Sequence, residues 1–127
     1  MATAVLDTSV VLASLQNEAG GDFATELIPT ALLLSVNLAE AATKLAKDGL
    51  DRRAVREVLG ALDCEIVPFD ASLAFDTGLL RPLTAKQGLS LGDRACLALA
   101  LSRNLPAYTA ERSWAELNLG IDIRLIR

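Results

Sequence analysis

Short apolar runs separated by longer stretches of helical periodicity constrain this chain most. Thr3–Leu6, Ala31–Ser35, Cys64–Phe69, Ala107–Thr109 and Ile121–Ile126 read as strands. Between them, helical patterns run over Ser9–Asn17, Asp22–Ile28, Asn37–Lys47, Asp51–Leu62, Asp70–Leu80, Leu91–Arg103 and Glu111–Leu117. Punctuation falls where it should: Gly20-Gly21 after the first helix, Pro29 after the second, Asp48-Gly49 after the third, and Asp70 as an N-cap. The segment Arg81–Gly88, with Pro82 and Lys86, reads as a loop that could move. Strands spaced by helices predict an α/β fold with a parallel sheet and helices on both faces.

At 127 residues the chain is expected to form a single domain, residues 1–127, and a hydrophobic content of 52% is enough for a real core. Aromatics are only 4%, so Leu, Ala, Val and Ile must fill it. Such side chains suit helices packed on a sheet buried on both faces. The apolar surplus also suggests a covered surface, against a second copy or a partner protein.

There is no histidine. Ser/His/Asp and Cys/His catalysis and imidazole metal sites are therefore excluded, and carboxylate chemistry with a hard divalent cation is the leading option. A net charge of −4 argues against gripping nucleic acid by bulk charge. Local charge remains available. Nine of the twelve basic residues are Arg, and Lys44, Lys47, Arg52, Arg53 and Arg56 gather in one stretch, either as a solvated helical face or as phosphate contacts. Cys64 and Cys96 lack metal-type spacing and read as buried, reduced thiols of a cytoplasmic protein. The N-terminus has no basic leader and no window reaches membrane-span length, so neither export nor membrane insertion is expected.

Four carboxylates stand where a βα repeat places residues at strand ends or helix starts: Asp7, Glu40, Asp93 and Glu111. In an open α/β sheet the carboxyl ends of the strands face one crevice, where acids distant in sequence can meet. Bunched carboxylates repel, and a divalent cation relieves the repulsion. Taken singly, each also fits a capping role. Ser90-Leu-Gly-Asp93 and Asn37-Leu-Ala-Glu40 resemble capping boxes, Asp7 can cap the helix after it, and Glu111 can favour a helix start. Helical spacing also gives Asn37, Glu40, Lys44 and Lys47 one polar stripe, expected to face the crevice.

Four motifs in this order, in a chain this short, resemble the PIN-domain ribonucleases, and within them the VapC-type toxins of bacterial toxin–antitoxin pairs. They are Leu6-Asp7-Thr8-Ser9, Asn37-Leu-Ala-Glu40, Leu89-Ser-Leu-Gly-Asp93-Arg94 and Tyr108-Thr-Ala-Glu-Arg-Ser-Trp114. The resemblance covers essentially the whole chain. It implies a PIN-like three-layer sandwich, a mainly parallel five-stranded sheet between helices, that cuts RNA with Mg²⁺ or Mn²⁺. By carry-over, Asp7, Glu40 and Asp93 form the acidic metal-binding core and Glu111 is the fourth acid, where the family commonly has Asp. A longer side chain there leaves one or two ions open. Ser9 and Thr109 would be hydroxyls that orient the carboxylates, and Asn37 a polar neighbour of Glu40.

The resemblance further implies an RNA substrate, inhibition by a cognate antitoxin and a homodimer. Arg94 and Arg112, each beside a proposed ligand, would contact phosphate or the carboxylates, or make surface ion pairs. A catalytically silent PIN-like module that binds RNA or protein is the alternative. A haloacid dehalogenase-type phosphatase wants an acid where Ser9 stands, and a receiver domain wants a Lys that Tyr108-Thr109-Ala110 does not supply, so both rank lower.

Overall fold

In the computed structural model, which describes residues Met1–Arg127, the first strand in sequence is the central strand in space. β1 (Ala4–Leu6), β2 (Ala31–Leu34), β3 (Glu65–Val67), β4 (Ala107–Thr109) and β5 (Ile123–Leu125) form one sheet in the order β3-β2-β1-β4-β5. Every neighbouring pair is parallel, and Val5 stands opposite Leu32 on one side and Ala107 on the other. Because β1 lies between β2 and β4, whose connections leave in different directions, its carboxyl end is the switch point of the sheet.

Seven α-helices accompany the strands: α1 (Thr8–Leu15), α2 (Gly21–Leu27), α3 (Ser35–Lys47), α4 (Arg52–Gly60), α5 (Ala71–Leu79), α6 (Arg81–Thr84) and α7 (Leu91–Arg103). Alternate strand residues point to opposite faces, and the core divides accordingly. Val5, Leu32, Leu34 and Ala107 pack with Leu73 of α5 and with Ala95–Ala100 of α7. Ala4, Leu6, Ala31 and Leu33 pack on the other face with Val10 and Val11 of α1, Ala41 and Leu45 of α3 and Leu59 of α4. A fully buried leucine contributes about 2 kcal/mol by removal from water, so these short strands gain more from burial than from their length. The helix α7 is buried along its whole middle, as expected of an Ala- and Leu-rich helix without a polar face.

The expected strands all form, as does every expected helix but the last, each end falling within two residues of its expected place. Three local expectations are corrected. Arg81–Gly88 is not a loop: Pro82 sits in the first turn of α6, where its missing N–H costs nothing, and a 3₁₀ turn, Ala85–Gln87, follows to Gly88. The buried Thr84 hydroxyl donates to Leu80 O at 2.9 Å and ties this stretch down. Pro29 lies within a 3₁₀ turn, Ile28–Thr30, rather than simply ending α2, and the expected last helix is a 3₁₀ turn, Arg112–Glu116, anchored by the fully buried Trp114. Cys96 is buried and Cys64 only half-buried, and both are free thiols.

Candidate active site

The turn from β1 into α1 puts Asp7 at the N-cap of α1, where its Oδ1 accepts the Val10 N–H at 3.1 Å. Two hydroxyls complete its surroundings: Ser9 donates to Oδ1 and Thr109 to Oδ2, each at 2.6 Å. Each hydroxyl is itself oriented by a backbone amide. Ala110 N–H donates to Ser9 Oγ and Glu111 N–H to Thr109 Oγ1, both at 2.9 Å, leaving the hydroxyl protons free to point at Asp7. Asp7 is 2% exposed. Burial raises its pKa to about 6 in spite of the hydrogen bonds from Ser9, Thr109 and Val10, and the nearby charge of Asp93 pushes the same way.

Glu40 reaches the same place from α3. That helix begins at Ser35, directly after Leu34 of β2, with no side-chain cap, so the capping box expected of Asn37 and Glu40 does not form. Instead Glu40 Oε1 accepts from the Thr8 hydroxyl at 2.7 Å and from Asn37 Nδ2 at 3.2 Å. Asn37, only 1% exposed, also donates to Gly92 O at 3.1 Å, while its own Oδ1 is buried without a partner.

Asp93, by contrast, does form its capping box with Ser90: the Ser90 N–H donates to Asp93 Oδ2 at 3.0 Å and Asp93 N–H donates to Ser90 Oγ at 3.2 Å. Capping and cleft-lining coexist in this residue. Glu111 is exposed, and although it stands before a 3₁₀ turn its side chain does not cap it.

A cleft of about 240 Å³ at the carboxyl end of the sheet is lined by Asp7, Thr8, Ser9, Leu12, Glu40, Lys44, Asp93 and Glu111. All four predicted acids are therefore brought to one place, with Ser9 in the lining and Thr109 and Asn37 holding carboxylates from behind. Of the polar stripe on α3, Lys47 does not line the cleft, and Lys44 does but is paired with Asp48 at 2.8 Å. Arg94 makes no ion pair with the acids; its Nη1 donates to Thr77 O at 3.1 Å. Below the acids, burial and the charges of Asp7, Asp93 and Glu40 hold the Cys96 thiol well above its usual pKa. Two residues escaped the sequence reading. Thr8 stood in the quoted motif without a role, and Gly92 carries no chemistry of its own; the proximity of both to Glu40 is set by tertiary packing.

The donor set is all hard oxygen, and the unsatisfied Asn37 Oδ1 is a buried acceptor that a metal-held water suits. No three of the acidic or thiol groups lie close enough together to enclose an ion by themselves. An ion held here would take one or two carboxylates directly and complete its shell with water, which is how Mg²⁺ commonly binds. The residues fit such an ion.

The PIN domain family model matches residues 4–118. This chain belongs to the PIN-domain family. No curated protein is significantly similar to it in sequence. Among solved structures, this PIN domain has the fold of VapC toxins. It is similar to the DNA-bound VapBC of Salmonella typhimurium at 22% identity and a TM-score of 0.77, with 100% of each chain covered. It is similar to VapBC-5 of Mycobacterium tuberculosis at 27% identity, with 100% of this chain and 99% of that one covered and a TM-score of 0.60. It is also similar to VapC20 of Mycobacterium tuberculosis, a sarcin–ricin loop cleaving toxin, at 16% identity, with 91% and 97% covered and a TM-score of 0.70. No helix of this PIN domain is long and apolar enough to cross a membrane.

Proposed function

We propose that this PIN domain is a VapC-type endoribonuclease that hydrolyses RNA phosphodiester bonds with Mg²⁺ or Mn²⁺ and is held silent by a cognate antitoxin. One observation carries the reading: carboxylates from four separate segments line one cleft, and none is ion-paired with an Arg or Lys. One or two of Asp7, Glu40 and Asp93 would hold the ion directly, with the remaining acids, Glu111 among them, acting through water. When bound, the ion supplies neutralising charge for the phosphate and a more acidic water.

The chain's own groups do the rest. Ser9 and Thr109 fix both oxygens of Asp7, and Thr8 and Asn37 fix Glu40, so neither of these carboxylates must reorganise as charge develops. Glu111, the one acid of the four whose carboxylate accepts no hydrogen bond, is the free base for the attacking water's proton. Arg112, exposed beside it and without an ion pair, meets a backbone phosphate.

The experiment is cleavage of a structured RNA by the purified chain with Mn²⁺, with Mg²⁺ and with excess chelator. Activity only with metal supports the reading; undiminished activity in chelator overturns it. The separation of the acids favours a second reading, a silent PIN-like module that binds RNA or protein without cutting. RNA binding with no cleavage under any metal would select it.

Two surfaces bear on partners. Between α3 and α4 lies a groove of about 920 Å³ floored by Leu38, Ala42, Val55, Leu59 and Ile66 and rimmed by Arg52 and Arg56, neither of which is ion-paired. It suits an amphipathic antitoxin segment with an acidic flank, and α3 carries Glu40 beside it, so a basic residue of the same segment can reach the acids. The basic stretch noted in the sequence thus divides, with Lys44 at the cleft and Arg52 and Arg56 at the groove. Co-expressed antitoxin should rescue growth that the lone chain suppresses, whereas Asp7→Asn should need no rescue. The second surface carries exposed apolar side chains: Phe75, Leu79, Leu83 and Leu91 are 75%, 71%, 66% and 54% exposed, and a second copy is the occupant proposed.

A further inference from the structure

We infer that Gly92 is a positioning residue, kept without a side chain so that the Glu40 carboxylate can occupy the space beside it. The inference rests on the nuclease reading of the cleft. Gly92 is buried in the first turn of α7 and its backbone is helical, a conformation that any residue adopts. Glycine there weakens the helix relative to alanine, so the backbone gives no reason for it. Space does. A Cβ built on Gly92 would collide with both oxygens and the carboxyl carbon of Glu40.

The same contact explains how two helices from opposite layers of the sandwich come to serve one site. Asn37 Nδ2 donates both to Glu40 Oε1 and to Gly92 O, at 3.2 and 3.1 Å, so one amide fixes the carboxylate and the backbone that makes room for it. The Thr8 hydroxyl closes the cradle from the third side at 2.7 Å. Asp93 follows Gly92 directly in sequence. The distance of closest approach at Gly92 therefore sets how near Glu40 and Asp93 come to a shared ion or water.

The obstacle a methyl group meets is the end of a flexible side chain rather than backbone, which makes a sharp expectation. Gly92→Ala should fold with unchanged or higher Tm without metal, yet bind Mn²⁺ about tenfold to a hundredfold more weakly by calorimetry. Without metal, the Asn37 side-chain amide resonances should shift, because their acceptor has been displaced. Shortening the acid should then restore room: Glu40→Asp in the Gly92→Ala background should bind Mn²⁺ more tightly than Gly92→Ala alone, although Glu40→Asp in the wild type weakens binding.

Unchanged Asn37 resonances with Mn²⁺ affinity within about twofold of wild type would overturn the inference, as would a Gly92→Ala that fails to fold or a double variant no better than the single. Should the wild type neither bind Mn²⁺ nor cleave RNA, the nuclease reading fails, while the Asn37 resonances still decide whether Gly92 positions Glu40.

Discussion

The Thr109 hydroxyl donates to Asp7 Oδ2 at 2.6 Å across 102 positions of sequence. With Ser9 on the other oxygen, it leaves a nearly inaccessible carboxylate fully hydrogen-bonded and paired with no Arg or Lys. Such a group is poised between a proton and a metal. Burial favours the proton, the hydroxyls favour the charge, and the pKa of about 6 records that burial prevails.

The sign of the pH dependence follows. Folded Asp7 binds its proton more tightly than the unfolded carboxyl, so its contribution to stability is complete below the usual 3.8 and is lost as pH rises through about 6. A rise from 3.8 to about 6 corresponds to roughly 3 kcal/mol. In chelator, the stability of Asp7→Asn relative to wild type should increase by about this much between about pH 4 and pH 8, read from urea midpoints. Mn²⁺ affinity should move oppositely, falling as pH drops below about 6, because metal and proton compete for one carboxylate.

Asp93 carries two roles that substitution separates. Asn keeps an oxygen that can accept from Ser90 N–H, so Asp93→Asn should hold the capping box, preserve the fold and abolish cleavage. Asp93→Ala loses the side-chain arm as well and should cost a further ~1 kcal/mol in denaturant unfolding. Equal stability of the two variants would count against the capping contribution. Cleavage retained by Asp93→Asn would count against the site.

Glu111 and Asp7 should differ in kind. Glu111 is exposed and accepts no hydrogen bond, whereas Asp7 is enclosed by three donors. Glu111→Gln should slow RNA cleavage by about a hundredfold, the usual effect of losing a general base, with Mn²⁺ affinity little changed. Asp7→Asn should remove both activity and metal binding. Equal loss of metal binding in the two variants would make Glu111 a direct ligand.

The exposed Phe75, Leu79 and Leu83 offer a test of assembly. Leu79→Asp places a charge among these side chains and should weaken self-association by about 2 kcal/mol or more, roughly thirtyfold in Kd, by sedimentation. A wild type that sediments as a monomer at high concentration would remove the dimer altogether.

Much of this architecture is legible in the residues. Leu91–Arg103 and Ala107–Thr109 have the predicted bounds because Ser90 begins that helix and Asn104, in the left-handed conformation with φ 51°, ends it. The four acids were visible because each follows an apolar run or opens a helix, the only places a parallel sheet offers to a site. Arg81–Gly88 misled because Pro82 marks a helix start as readily as a loop, and only the burial of Leu80 and Thr84 tells the two apart. The capping alternative for Glu40 fails because the start of α3 is set by the end of β2, not by a side chain. Thr8 and Gly92 acquire their importance through Glu40, which lies far from Gly92 in the chain.

The order of the strands also governs when the cleft is completed. β1 is made first but stands in the middle, and its second partner, β4, begins only at Ala107. While the chain is being synthesised, β1 has one unpaired edge, Asp7 lacks Thr109 and the cleft lacks Glu111. A chain truncated at Asn104 should accordingly be protease-sensitive and unable to bind Mn²⁺. Under the function proposed above, the cleft is complete only once β4 and Glu111 have joined the sheet that β1 began.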